Sequence, residues 1–302
     1  MRKLTDRIGD GDVLVCDGAM GTMLHSYGLK AGECPELWCV DRPNDVREIH
    51  RSYREAGSNI VECNSFGGTR YRLRHFGLAH RAAELNRASA ALAREVAGNT
   101  QYVLGCMGPT GEFMEPYGTE TVEAFYSAFK EQVVALEEGG ADAVIVETMT
   151  GLEEASVAVR AARENTRMVV MVSLTFDPQR DGSYATMMGV RPEQFAKTMT
   201  AMGVDVIGAN CGIGPNHMLS IVKCLRTASV LPIIAMPNAG MPVVENGETV
   251  FKETPEDMAR MALKLVESGA HIVGGCCGTT PAHIAAMKSV LKDSYGKRGQ
   301  LS

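Results

Sequence analysis

The chain lacks most of what marks a membrane, nucleic-acid-binding or disulfide-stapled protein. It has 1 Trp in 302 residues, and only 6% of its residues are aromatic. No apolar run approaches the ~20 residues that span a bilayer, so no membrane partner is expected. Basic charge is in deficit: 30 Lys and Arg stand against 36 Asp and Glu, a net charge of −6. That balance argues against nucleic acid or an anionic membrane as the main partner. No linker, low-complexity stretch or block of like charge divides the sequence. The segment Met1-Arg2-Lys3-Leu4-Thr5-Asp6-Arg7 has no signal-peptide core, which points to a cytoplasmic address. In that compartment the 9 cysteines are expected to be reduced, and close-set ones read as metal ligands or catalytic groups before disulfides.

What is present is a regular alternation. Short apolar runs lie at Val13-Cys16, Asn59-Cys63, Tyr102-Cys106, Ala143-Val146, Met168-Thr175, Asp205-Ala209, Leu231-Met236 and His271-Val273. Runs of this kind are what buried parallel strands look like. Amphipathic stretches at Asn44-Ala56, Ala82-Ala97, Val122-Glu138, Leu152-Arg163, Pro192-Met202, Pro215-Thr227, Pro255-Ser268 and Pro281-Leu291 separate them. Several open with proline at the first helical turn, and Thr254-Pro255-Glu256-Asp257 reads as an N-cap. Gly57, Gly140, Gly203 and Gly269 end four of these stretches, where a left-handed residue closes a helix. Eight strands alternating with eight helices predict an α/β fold, a single-domain (β/α)8 TIM barrel over residues 1–292, with a frayed tail at 293–302.

In such a barrel the chemistry sits where strands end at the C-terminal mouth. No lysine ends a strand, which argues against Schiff-base chemistry. No His-x-His or carboxylate cluster appears, which argues against a hydrolytic metal site. Sulfur is there instead: Cys211 in Asn210-Cys211-Gly212, and the pair in Gly274-Gly275-Cys276-Cys277-Gly278-Thr279-Thr280-Pro281. Adjacent cysteines on a strand face opposite ways, so both reach one metal only if the chain is already turning. The glycines supply that turn. Three thiolates with one position open are the pattern of a catalytic zinc. Such a centre is electron-rich. It suits a bound substrate thiol that must stay nucleophilic, and the reaction class is alkyl transfer to sulfur.

Other strand-end residues are candidates for holding that substrate. Asn238 could fill the open position or orient the thiol, and Glu147 could pair with an ammonium group. Asp17 and Gly18, with their glycine-rich turn, could offer N–H groups to a carboxylate. Asn64 ends the second strand and completes the set. A solvated carboxylate for Glu147 and a loop-fixing role for Asp17 are the plainer alternatives. Cys16, Cys63, Cys106 and Cys224 read as core packing, with Cys34 and Cys39 left open.

The motifs Asp17-Gly18-Ala19-Met20-Gly21-Thr22, Gly108-Pro109-Thr110-Gly111, Asn210-Cys211, Pro237-Asn238-Ala239-Gly240 and Gly275-Cys276-Cys277-Gly278-Thr279-Thr280-Pro281 carry a resemblance. The chain resembles the homocysteine S-methyltransferase family, and within it the homocysteine-binding zinc barrel of cobalamin-dependent methionine synthases. That likeness implies Cys211, Cys276 and Cys277 as Zn2+ ligands and homocysteine as methyl acceptor, held partly by Glu147. It implies a corrinoid as methyl carrier. The corrinoid signature Asp-x-His-x-x-Gly is missing, with Met23 where its aspartate would precede His25, so the corrinoid is expected free or on a separate partner protein. Gly151 and Met236 stand where the family often has acidic residues, and Met187-Met188 replace small polar ones, which leaves the thiol's identity open. Direct transfer from a betaine or S-methylmethionine type donor, with Trp38 and Tyr27 near the mouth, remains an alternative, as does corrinoid-linked demethylation of another substrate. A phosphate-binding barrel and a non-catalytic zinc carrier are the readings from other classes.

Overall fold

The protein is described by a computed structural model covering residues 2–212, 214–245 and 248–295. Eight parallel strands form the barrel: β1 Leu14–Val15, β2 Ile60–Glu62, β3 Tyr102–Met107, β4 Ala143–Met149, β5 Val169–Leu174, β6 Val206–Cys211, β7 Ile233–Pro237 and β8 Ile272–Val273. The sheet runs β1-β8-β7-β6-β5-β4-β3-β2. The two ends meet where Cys16 bridges Ile60 and the Asn59 N–H donates to Val15 O at 2.6 Å. This is the expected TIM barrel.

Eight helices surround it: α1 Pro43–Glu55, α2 Ala82–Ala97, α3 Val122–Glu138, α4 Leu152–Asn165, α5 Pro192–Ala201, α6 Pro215–Ala228, α7 Pro255–Glu267 and α8 Pro281–Tyr295. Thr254 forms a capping box with Asp257 at the start of α7. Gly57, Gly140, Gly203 and Gly269 are all left-handed, as their positions require. The tail expected to fray from 293 is still helical to Tyr295, and residues 296–302 lie outside the described residues. Among the described residues no helix is long and apolar enough to cross a membrane.

The two-residue period of a strand sorts the core into two layers. Leu14, Cys16, Ile60, Leu104, Ala143, Ile145, Met171, Val206, Ile234 and Ile272 point into the barrel. Val15, Val61, Val103, Val144, Val170, Ile207, Ile233 and Val273 point out against the helices. A short N-terminal helix, Leu4–Gly9, seals the bottom by placing Leu4 and Ile8 in the inner cluster. Cys16, Cys63 and Cys106 are buried, as expected of packing cysteines, and so are Cys34 and Cys39. Cys224 is only half-buried on α6.

Candidate active site

One more step of the same period sets the top inner layer. Beyond Ile60 comes Glu62, beyond Leu104 Cys106, beyond Ile145 Glu147, beyond Met171 Ser173, beyond Gly208 Asn210, and beyond Ile234 Met236. The barrel interior therefore turns polar just below its mouth. A cavity of about 270 Å3 opens there, lined by Gly18, Glu62, Asn64, Cys106, Glu147 and Met236 and by all three candidate thiols.

The Sγ atoms of Cys211, Cys276 and Cys277 lie within 4.8 Å of one another, and those of Cys276 and Cys277 are 4.0 Å apart. Zinc–sulfur bonds of ~2.3 Å in a tetrahedron set sulfurs about 3.8 Å apart, so the set fits a soft cation with little movement. Two backbone devices produce it. By strand parity Cys211 would face outward, but its φ of 63° re-aims it. After β8 the chain turns, with the Thr279 N–H bonded to Cys276 O at 3.1 Å and the Cys276 N–H to Pro237 O at 2.9 Å. Gly275 serves this turn through close approach, since a Cβ there would sit 2.4 Å from Thr279 Oγ1. Hydrogen bonds from Cys276 and Cys277 hold the Cys211 thiol well below its ordinary range, with Cys276 pushed up in return. Asn238 donates to Cys211 Sγ at 3.6 Å and to Gly212 O at 2.6 Å. Its own Oδ1 is buried and has no partner among the described residues.

A second group adjoins the first. One carboxylate oxygen each from Glu62 and Glu147 lies within 4.8 Å of the other and of Cys106 Sγ. The Cys106 thiol donates to Glu147 Oε1 at 2.5 Å. Asp17 joins from behind, its Oδ2 accepting the Glu62 N–H at 3.0 Å. The sequence showed no carboxylate cluster because its members are far apart in the chain; the barrel assembles one. Burial pushes Asp17 and Glu62 well above the usual carboxylate range, and Glu147 up to about 7.

Asn210 ties the two groups together. Its Nδ2 donates to Glu147 Oε2 at 3.2 Å and Thr148 Oγ1 at 2.7 Å, and lies 4.0 Å from Cys276 Sγ. Its Oδ1 accepts from the Thr148 N–H at 2.9 Å and from Ser173 Oγ at 2.8 Å.

The remaining expected contacts are placed as follows. Gly18 and Asn64 line the cavity. The Asn64 amide is committed to its own loops, donating to Pro35 O at 2.8 Å and Cys39 Sγ at 3.5 Å. Of the N–H groups in the glycine-rich turns, Ala19 bonds Thr279 Oγ1 and Gly278 bonds Thr22 Oγ1, both internally. Glu62, Cys106, Ser173 and Asn210 join the candidate site, and the reading of strand ends gave none of them a role. The inward parity of each strand was the signal that pointed to them.

Residues 14–291 match the homocysteine S-methyltransferase family. The methionine synthases of Mycobacterium tuberculosis and Mycobacterium leprae are each 33% identical over 96% and 95% of this chain. The chain spans about a quarter of their length, 25% of each. The metallated homocysteine methyltransferase MmuM from Escherichia coli superposes with a TM-score of 0.78 at 26% identity, covering 94% of this chain and 98% of that one. The chain belongs to the homocysteine S-methyltransferase family.

Proposed function

We propose that the protein transfers a methyl group to the sulfur of homocysteine, giving methionine, at a zinc site built from Cys211, Cys276 and Cys277. The observation that carries this reading is the convergence of three sulfurs at the mouth of a cavity whose other wall is acidic. One wall takes a thiol and the other an ammonium, which together describe an amino-acid thiol. When bound, zinc supplies a fourth position at which the substrate thiol loses its proton and stays nucleophilic. The residues do the rest. Asn238, beside Cys211, orients the incoming sulfur, and Glu147 receives the substrate ammonium. Asn210 fixes Glu147 relative to the thiols. Transfer then forms a carbon–sulfur bond and breaks the bond between the methyl group and its donor, which keeps the electron pair.

The donor we favour is a methyl-corrinoid, free or carried by a separate protein. A direct cationic donor finds less support. Trp38, the one tryptophan, is buried and the Arg42 guanidinium lies 3.8 Å from its ring centroid. That ring face is therefore already occupied by a cation. Of the arginines in the 70–75 stretch, Arg72 is exposed and in no ion pair among the described residues, and the other two are paired. Arg70 pairs with Glu131 and Arg74 with Glu112.

The test is spectroscopic. Zinc-loaded protein, methylcobalamin and homocysteine are mixed without oxygen, and methylcobalamin absorbance is followed. Loss that needs both protein and homocysteine, with methionine formed, supports the reading. Turnover with S-methylmethionine or betaine and none with methylcobalamin would replace the donor. No turnover with any of these donors would leave a methyl-corrinoid bound to its own carrier protein as the donor to supply, and failure with that as well would remove homocysteine as acceptor.

A further inference from the structure

The acidic wall has an unusual balance of charge. Asp17, Glu62 and Glu147 crowd together inside the barrel, yet among the described residues none of them is in an ion pair with Lys, Arg or His. Buried carboxyl groups without a cationic partner are costly to ionise, and an arriving cation would supply the partner they lack. The three are not equivalent. Asp17 is bonded by the Glu62 N–H and approached by the Cys16 thiol. Glu147 accepts from Cys106 and Asn210. Glu62 alone keeps an oxygen, Oε1, that is shut away from water with no hydrogen-bond donor.

We propose that Glu62 is a further substrate-binding residue: with Glu147 it grips the ammonium group of the amino-acid thiol whose sulfur the cysteine cluster takes. This rests on the homocysteine reading above and deepens it. An ammonium has three donors and no acceptor, and it matches two facing carboxylates better than one. The spacing also fits. Asn210 Nδ2 is 3.2 Å from Glu147 Oε2 and 4.0 Å from Cys276 Sγ, so carboxylate and thiol are separated by no more than those two legs laid end to end. Four bonds separate sulfur from nitrogen in homocysteine, which suits a chain laid across that gap. A second metal ion is the competing occupant of the Glu62–Cys106–Glu147 group. It is disfavoured because the Cys106 thiol spends its proton on Glu147 and is not offered as a thiolate.

The experiment compares two thiols on wild-type protein and Glu62→Gln, which keeps the shape and removes the charge. One is homocysteine. The other is 4-mercaptobutyrate, the same chain without the amino group. Binding is read from the absorbance of the cobalt-substituted protein, and turnover from methyl transfer out of methylcobalamin. In Glu62→Gln the dissociation constant and KM for homocysteine should rise roughly tenfold or more, as loss of a charge-assisted bond implies. The kcat should hold within about threefold, and 4-mercaptobutyrate should bind both proteins equally. Equal weakening of both thiols, or of neither, would overturn the proposal, as would a second metal ion per chain that the substitution removes. If wild-type protein itself fails to bind homocysteine, the homocysteine reading has failed and the role given to Glu62 goes with it. If wild-type binds and the variant binds equally well, only the role of Glu62 falls.

Discussion

Asn210 and Thr148 clasp each other across the gap between β6 and β4: the Asn210 amide accepts the Thr148 N–H at 2.9 Å and donates to the Thr148 hydroxyl at 2.7 Å. Thr148 has a φ of 59°, a left-handed conformation unfavourable to a β-branched residue. It sits at an irregularity in the pairing of β4 with β5. Asn210→Ala removes both bonds and leaves a backbone N–H without its acceptor. The expected cost is about 2 kcal/mol or more of stability, measured by urea denaturation. Methyl transfer should fall at least tenfold, because Glu147 loses the same anchor.

Removing one thiol tests the metal assignment. Cys276→Ala should leave the barrel folded, since Cys276 lies past the end of β8 at the mouth. Its zinc content should fall well below one per chain, and transfer should drop by more than about 100-fold, beyond what loss of an outer-shell partner costs. Full zinc and full activity in this variant would remove Cys276 from the ligand set. Chelation of the wild-type protein should abolish transfer, and added zinc should restore it.

His50 offers a pH test remote from the site. It is fully buried on α1, both ring nitrogens lack partners, and burial lowers its pKa to about 4. The unfolded chain takes up this proton near the ordinary value of ~6.5 and the folded chain only near 4. Between those values the unfolded state binds more protons, so stability falls as the pH falls through the window. The loss attributable to His50 reaches about 3 kcal/mol at its lower end. His50→Leu should flatten this part of the stability–pH curve, read by denaturant unfolding at several pH values. Parallel curves for the two proteins would refute the assignment.

Gly208 marks where the barrel has no room. A Cβ there would lie 2.1 Å from the Ile234 carbonyl oxygen on the neighbouring strand. Backbone on both sides cannot retreat cheaply. Gly208→Ala should destabilise the protein by about 1–3 kcal/mol, seen as a lower melting temperature, with weaker metal retention because Cys211 lies on the same strand.

Much of this architecture was legible in the chain. Strand and helix positions followed from apolar runs broken by proline and glycine, because each βα unit writes its own start and stop signals. The three cysteines were legible for a related reason: strand ends all meet at one mouth, so position along the chain gives position in space. The acidic wall was harder. Glu62 and Glu147 are separated by two complete βα units, and only inward parity carried over a closed barrel brings them together. The partnering of Asn64 with Pro35 and Cys39 depends on how the loop after β1 packs, which no periodicity reports. The small antiparallel ribbon of Asp177–Pro178 with Tyr184–Ala185 was likewise invisible, being two residues on each side. Cys106 looked like a packing residue and is buried like one; its bond to Glu147 comes from a strand 41 positions away.

Leu4 and Ile8 close the barrel from below, which makes the molecule a cup with a single lip. Whatever enters must leave by the way it came. If the proposed methyl donor is broad enough to cover that lip, the acceptor would have to enter before it and the product leave after it.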